Sequence, residues 1–245
     1  MTEASSSAPG PARIGALLAL CRVSNLPTVW MNALAAAVLA GAGARTGTVL
    51  LLAASMSAFY CGGMCLNDIC DRESDAREQP FRPIPSGRVT VGGAWVATCV
   101  LFAAGLGLLA LAPYPSALVP GLLLLGTIIA YDRRHKQNAA SVLLMAACRL
   151  LVFAICAWAV SGTVRPLVLG AGGVCFAYTL GISLAARHEN RRGAPYPFPL
   201  IPNLIAGMAV VDGLYLAVAV APGWMAAGVA AAGLTRFGQR YVRGD

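Results

Sequence analysis

Apolar residues run in eight long stretches along this chain, separated by short polar segments. Because about 20 residues at 1.5 Å rise cross the hydrocarbon core of a bilayer, each stretch is a candidate membrane-spanning helix. Their continuous apolar character differs from the alternating segments of about ten residues that mark transmembrane β-barrels. The pattern predicts an all-α transmembrane bundle of about eight spans, at residues 14–42, 47–68, 91–112, 115–131, 139–160, 165–186, 199–220 and 223–237.

The first stretch is interrupted by Arg22, Asn25 and Pro27. It therefore fits a short interfacial helix at 13–23 that leads into a span at 27–42. Residues 1–12 are small, polar and proline-bearing, and they lack the basic region and cleavage pattern of a signal peptide. We expect a disordered tail there, followed by one membrane domain at 13–245.

The composition supports an integral membrane protein, with 58% hydrophobic and 11% charged residues, against roughly 25% charged residues in soluble domains. Of the 18 basic residues, 15 fall on one face of the predicted topology and two, Arg45 and Arg165, on the other, while Arg149 lies within a span. The positive-inside rule then places the even-numbered loops and both termini in the cytoplasm. The net charge of +8 is thus explained by topology in a bacterial-type cytoplasmic membrane, and no nucleic-acid partner is indicated.

Half of the acidic residues of the chain fall within positions 68–78, directly after the second apolar stretch. If this stretch continues as a helix, successive side chains rotate by about 100°. One face then collects an amide and four carboxylates: Asn67, Asp68, Asp71, Asp75 and Glu78. Like charges spaced three or four residues apart repel each other, so the arrangement favours a bound Mg²⁺. The alternative is a solvated helix end in which Asp71 pairs with Arg72 or Arg77.

A proline-rich segment, QPFRPIPSGR at 79–88, follows the acidic helix end. Its three prolines disfavour helix, so we expect a stiff extended loop that folds Arg82 and Arg88 back toward the carboxylates. Guanidinium groups can bind phosphate oxygens bidentately. Carboxylates for a metal beside arginines for an anion indicate a diphosphate site on the cytoplasmic face.

The string NDICDRESDAREQPFRPIPSGRVT closely resembles the first aspartate-rich motif, NDxxDxxxD, and the following loop of the UbiA superfamily of intramembrane prenyltransferases. The resemblance implies a UbiA-like bundle and a Mg²⁺-bound isoprenyl diphosphate. Its first metal cluster would be Asn67, Asp68, Asp71 and Asp75, with Arg82 and Arg88 stabilising the departing diphosphate. The resemblance extends more weakly to Arg22, Asn25 and Asn32 near the first span, and to Tyr131 and Lys136 after the fourth span. For Arg22 and Lys136, the alternative role is that of an interfacial anchor.

The family's second motif, DxxxD, is missing after the sixth span, where the chain has only one acidic residue, Glu189. Three interpretations are open. Glu189, with Asn190, supplies a second metal ligand; Arg187 and His188 contact the diphosphate directly; or prenyl transfer has been lost.

Two further charges lie inside predicted spans, Arg149 in the fifth and Asp212 in the seventh. Intramembrane charges are costly and usually functional. Arg149 is expected to line the site. Asp212 would orient an acceptor, pair with Arg149, or stay neutral as a structural residue.

The sequence therefore predicts a Mg²⁺-dependent prenyltransferase that joins an isoprenyl diphosphate to an aromatic or other lipophilic acceptor among the membrane lipids. The alternative is a non-catalytic carrier or transporter that keeps the diphosphate site. Acceptor pockets are shaped by scattered apolar residues, so the acceptor, the prenyl length and the oligomeric state stay open.

Overall fold

The computed structural model describes residues 10–41, 46–134, 140–192 and 196–244, and this part of the chain is helical without strands. Short 3-10 turns at Val23–Asn25 and Pro115–Ala117 lead into the helices that begin at Leu26 and Leu118. The α-helices are α1 (Gly10–Leu20), α2 (Leu26–Leu39), α3 (Thr46–Glu78), α4 (Val91–Ala110), α5 (Leu118–Arg134), α6 (Ser141–Ser161), α7 (Pro166–Arg192), α8 (Leu200–Ala219) and α9 (Trp224–Gly238).

Six helices in the described ranges are long and apolar enough to cross a membrane, and a seventh span results if α1 and α2 count as one bent unit. The predicted all-α bundle of about eight spans is therefore confirmed as an all-helical bundle, of which six or seven spans have full membrane-crossing length in the described ranges. The difference lies in the last apolar stretch, because α9 has only 15 residues. At 1.5 Å per residue it is about 22 Å long, shorter than the hydrocarbon core of about 30 Å.

The chain bends by 57° between α1 and α2. Arg22 lies at this bend with φ 45° and ψ 48°, in the left-handed region, which side chains with a Cβ rarely occupy. Pro27 follows near the start of α2, where its missing N–H costs no helical hydrogen bond. The interruption predicted from Arg22, Asn25 and Pro27 is therefore a sharp turn between two helices, as expected.

Helix α2 is the central helix, packed against α3, α6, α7, α8 and α9. Its sequence, LPTVWMNALAAAVL, is rich in alanine, and most of its residues are buried. Small side chains let neighbouring helices approach closely in a membrane, where van der Waals packing drives association. The polar side chains that α2 carries, Thr28 and Asn32, are consequently held in the middle of the bundle.

Helix α3 has 33 residues, a length of about 50 Å. Since this exceeds the hydrocarbon thickness by about 20 Å, its last turns extend past the apolar layer. The acidic run at 67–78 lies in these turns, next to the bend at Arg22. We refer to this end of the molecule as the polar end.

The loop between α3 and α4 is compact, which corrects the expectation of an extended segment. Its backbone closes in turns through hydrogen bonds from Ser86 N to Arg82 O and from Val89 N to Pro83 O, each 3.0 Å. Proline presets the backbone angle that such turns need. Ile84 and Val89 are buried in a small core with residues of α1, α3 and α4, so the loop is fixed against the polar end.

Candidate active site

The acidic face of α3 divides into two sides, and the first of them meets arginines. Asp68 and Asp75 are buried, with 2% and 3% of their surfaces exposed. Arg82 donates to Asp75 at 2.8 Å and lies 3.5 Å from Asp68, and Arg22 lies 3.2 Å from Asp68. Asp68 and Asp75, two of the four predicted metal ligands, are thus paired with guanidinium groups in a buried setting.

The second side of the same helix face meets α5. Asn67 donates its amide to Asp132 Oδ1 at 3.2 Å, and Asp71 and Asp132 are both buried. The Tyr131 hydroxyl lies within electrostatic reach of both carboxylates. Glu78, predicted on this face, is exposed, because it lies at the last turn of the helix.

Asp132 is a site residue that the sequence reasoning missed. It stands in the string YDRRHK, where a single acid among basic residues looks like part of a solvated loop. The signal that could have found it is its position directly after Tyr131, at the end of an apolar span. The acidic motif of α3 likewise begins where the apolar part of that helix ends.

The two loop arginines have different positions. Arg82 faces α3, as expected, and Gln79 accepts a hydrogen bond from its Nε at 3.0 Å. The structure does not bring Arg88 to the carboxylates; its guanidinium donates to Phe81 O at 2.6 Å and to Ser86 Oγ at 3.0 Å. Arg88 therefore closes the loop that presents Arg82.

A cavity of about 710 Å³ opens beside these groups and continues into the bundle. This is within the range of about 300–1,000 Å³ typical of small-molecule sites. Its polar end carries Arg22, Arg82, Tyr131, Asp132 and Glu189. The deeper wall is apolar and includes Met56, Phe59, Leu124, Ile128, Val152, Ile205 and Met208. From Met64 to Met56 the cavity wall follows α3 over about 12 Å.

A polar network crosses the middle of the bundle beside this cavity. Arg149 of α6 lines the cavity and donates to Asn32 Oδ1 at 2.6 Å. The amide of Asn32 donates in turn to Asp212 of α8. Arg149 and Asp212, the two intramembrane charges, are therefore coupled through Asn32, which satisfies both without a direct ion pair.

The remaining predicted residues occupy varied positions. Glu189 lines the cavity, and its carboxylate accepts a hydrogen bond from Tyr196 N at 2.9 Å. Arg187 donates to Ser141 Oγ at 3.1 Å and does not line the cavity, while His188 is exposed. Lys136 lies outside the described residues.

Asn25 is buried, and its amide serves the protein itself. It donates to the Tyr60 hydroxyl at 3.1 Å and to Gly244 O at 2.7 Å, and its oxygen accepts from Gln239 at 3.2 Å. The segment after α9 is therefore tied to the polar end. Sequence reasoning could not foresee this contact, since more than 200 positions separate its partners.

Side chains whose oxygens are of the type that binds divalent cations lie on three helices at the polar end: Asn67, Asp68, Asp71 and Asp75 of α3, Asp132 of α5 and Glu189 of α7. Across the described ranges, no three His, Cys, Asp or Glu side chains form a group able to hold a metal ion. Mg²⁺ commonly takes one or two carboxylates and completes its shell with water and substrate phosphates. The donors present therefore fit a Mg²⁺ that arrives with a diphosphate.

Comparison with known proteins gives one family. Residues 28–242 match the UbiA prenyltransferase family. Digeranylgeranylglyceryl phosphate synthase of Sulfolobus acidocaldarius is 36% identical over 120 residues, 49% of this chain and 42% of that protein. The enzyme of the same name from Methanopyrus kandleri is 38% identical over 94 residues, 38% of this chain and 34% of that protein. The matches thus span less than half the length of these relatives.

The fold also has a solved counterpart. A structure described as giving structural and mechanistic insights into digeranylgeranylglyceryl phosphate synthase in membranes superposes with a TM-score of 0.62. It covers 94% of both chains at 16% sequence identity. The likeness therefore concerns the helical fold over nearly the full chain.

Proposed function

The chain belongs to the UbiA prenyltransferase family, and from this premise we propose that it transfers a prenyl group from an isoprenyl diphosphate to a lipophilic acceptor within the membrane. The observation that carries the proposal is a cavity with Arg22, Arg82, Asp132 and Glu189 at its polar end and an apolar wall below. A diphosphate needs the charged groups of the polar end, and a prenyl chain needs the apolar wall.

The diphosphate would lie against Arg22 and Arg82. Asp68 and Asp75 act as positioning residues, because their ion pairs hold both guanidinium groups at the cavity. Charges fixed in advance stabilise a departing anion without reorganisation at the moment of reaction. When the C–O bond of the allylic diphosphate breaks, its electron pair leaves with the diphosphate toward these arginines.

Asn67, Asp71, Asp132 and Glu189 would hold Mg²⁺, which when bound neutralises diphosphate charge. Lys136 stays a predicted diphosphate contact. The prenyl chain would extend along Met56 and Phe59, whose apolar surroundings keep water from the allylic cation. The acceptor, entering beside Arg149, supplies the electron pair for the new bond, and the proton that its attacking group loses passes to the released diphosphate.

The polar end would face the cytoplasm, because the basic residues concentrate in the loops on that side. The relatives are named for a phosphate lipid with two geranylgeranyl groups. Geranylgeranyl diphosphate is therefore the donor to use first.

The metal role is tested by replacing Asp71. Purified protein in detergent should release diphosphate from geranylgeranyl diphosphate only with Mg²⁺ and a lipid extract that supplies the acceptor, and Asp71→Ala should lower the rate at least about 100-fold, as is common when a charged group at a transition state is lost. Glu73→Ala is the matched control on the same helix. Glu73 is exposed and pairs with Arg72, so its loss should leave the rate within about twofold of wild type.

Undiminished turnover in Asp71→Ala would remove the proposed role of that carboxylate. Tight binding of the donor with no diphosphate release under any of these conditions would favour the carrier.

A further inference from the structure

The segment that follows α9, residues 239–244, turns back onto the polar end of the bundle. Its backbone continues in turns, with Tyr241 N and Val242 N both bonded to Gly238 O at 3.0 Å. Asn25 then holds it at both ends, because its amide donates to Gly244 O and its oxygen accepts from Gln239. Since Asn25 is itself buried, the segment has a fixed anchor.

Two glycines allow this close approach. A Cβ at position 238 would lie 3.2 Å from Ser24 Cα, and a Cβ at position 244 would collide with the Asn25 amide. Contacts under 3.4 Å force a neighbour to move, and neither neighbour is free to do so in a buried turn. The fit between the segment and the bend at 22–25 therefore depends on small residues at both positions.

Arg243 is carried by this segment to the mouth of the cavity. Its guanidinium lies 5.0 Å from the centre of the Phe81 ring, and Phe81 directly precedes Arg82. Arg243 and Gly244 line the same cavity as Arg22 and Arg82. Stacking on an aromatic face orients the guanidinium plane, so a third arginine is placed where the anion of the donor would enter.

We propose that Arg243 is a substrate-binding residue that contacts the phosphate oxygens of the isoprenyl diphosphate, and that Asn25 is the positioning residue for it. The inference deepens the proposed function and rests on it. It gives Asn25, which also lines the cavity, a role that acts through the segment. It also adds positive charge to a site that has only Glu189 in place of a second aspartate motif.

The test is the affinity of the full-length protein for geranylgeranyl diphosphate in detergent with Mg²⁺, measured by calorimetry. Arg243→Ala should weaken binding about tenfold, the loss expected for one charge-assisted hydrogen bond. Arg243→Lys should recover part of it. Gly244→Val keeps the Arg243 side chain but should displace the segment that positions it, so this variant should weaken binding similarly.

Arg240→Ala is the matched control, because Arg240 is an exposed arginine of the same segment and does not line the cavity. The affinity of the Arg240→Ala variant for geranylgeranyl diphosphate should stay within about twofold of wild type. Equal losses in Arg240→Ala and Arg243→Ala would show a general charge effect and overturn the inference.

An unchanged affinity in Arg243→Ala, alongside weakened binding in Arg82→Ala, would overturn the role of Arg243 and leave the proposed function standing. Wild-type protein that binds no geranylgeranyl diphosphate would overturn both.

Discussion

Arg22 shows how one residue of this protein combines backbone shape and charge. Its left-handed conformation lets the chain turn by 57° between α1 and α2. The same turn places its guanidinium 3.2 Å from Asp68. Backbone strain of this kind persists where the surrounding structure over-determines it, often at functional sites, and here the ion pair and the helix packing supply that restraint.

The strain at Arg22 predicts a difference between two substitutions that remove the same charge. Arg22→Gly and Arg22→Ala both leave Asp68 with Arg82 alone, but only glycine adopts the left-handed region without cost. The glycine variant should be more stable by about 1 kcal/mol, seen as a higher unfolding temperature in detergent. Equal unfolding temperatures would show that the conformation at position 22 costs nothing.

Single residues also mark what the sequence could and could not predict about the site. The helical period correctly grouped Asn67, Asp68, Asp71 and Asp75 on one buried face. The helical period could not predict which of these side chains faces which neighbour. Asp75 meets Arg82, whereas Asn67 meets Asp132. Arg82 and Arg88 look equivalent in the loop sequence, and only the turns between them separate their directions.

At the scale of helices, α8 and α9 show how glycine sets the distance between elements. A Cβ at Gly213 would lie 2.8 Å from Gly228 Cα, and one at Gly228 would lie 2.6 Å from Ala209 O. Small residues at such crossings let backbones approach and gain van der Waals contact. This packing keeps the short helix α9 against the bundle and sets the origin of the segment that carries Arg243.

Two glycines of α9 give a matched pair for testing this crossing. Gly228→Ala should destabilise the protein by about 1–3 kcal/mol through overpacking against backbone atoms. Gly233→Ala should be neutral or stabilising by up to about 1 kcal/mol, since open space surrounds position 233 and alanine favours helix. Thermal unfolding in detergent measures both, and equal shifts would contradict the close contact.

Helix boundaries were predictable where the apolar pattern was continuous. The stretches at 91–112 and 199–220 correspond to α4 and α8 within two residues at each end. The pattern placed a span boundary near residue 68, whereas α3 continues to Glu78. Beyond residue 68, Asp75 forms an ion pair with Arg82, and the apolar pattern could not predict this stabilisation because it depends on how the loop after α3 folds back.

At the scale of the whole molecule, the protein is a helical bundle whose polar chemistry is concentrated at one end of one cavity. The cavity wall draws on residues from Arg22 to Gly244, so nearly the full length of the chain contributes. Motif spacing could group the acidic side chains at the polar end, because the motif is local. The apolar wall could not be predicted, since it arises from side chains that become neighbours only when six helices, α2, α3 and α5 to α8, pack together.

We propose that this site transfers a prenyl group and does not merely bind the prenyl donor. Membranes containing the protein, incubated with labelled geranylgeranyl diphosphate, Mg²⁺ and total lipid extract, test it most directly. If the site transfers a prenyl group, a labelled lipid product forms together with an equal amount of free diphosphate, and neither forms when Mg²⁺ is chelated. Donor bound by the protein without any labelled product or released diphosphate would contradict it.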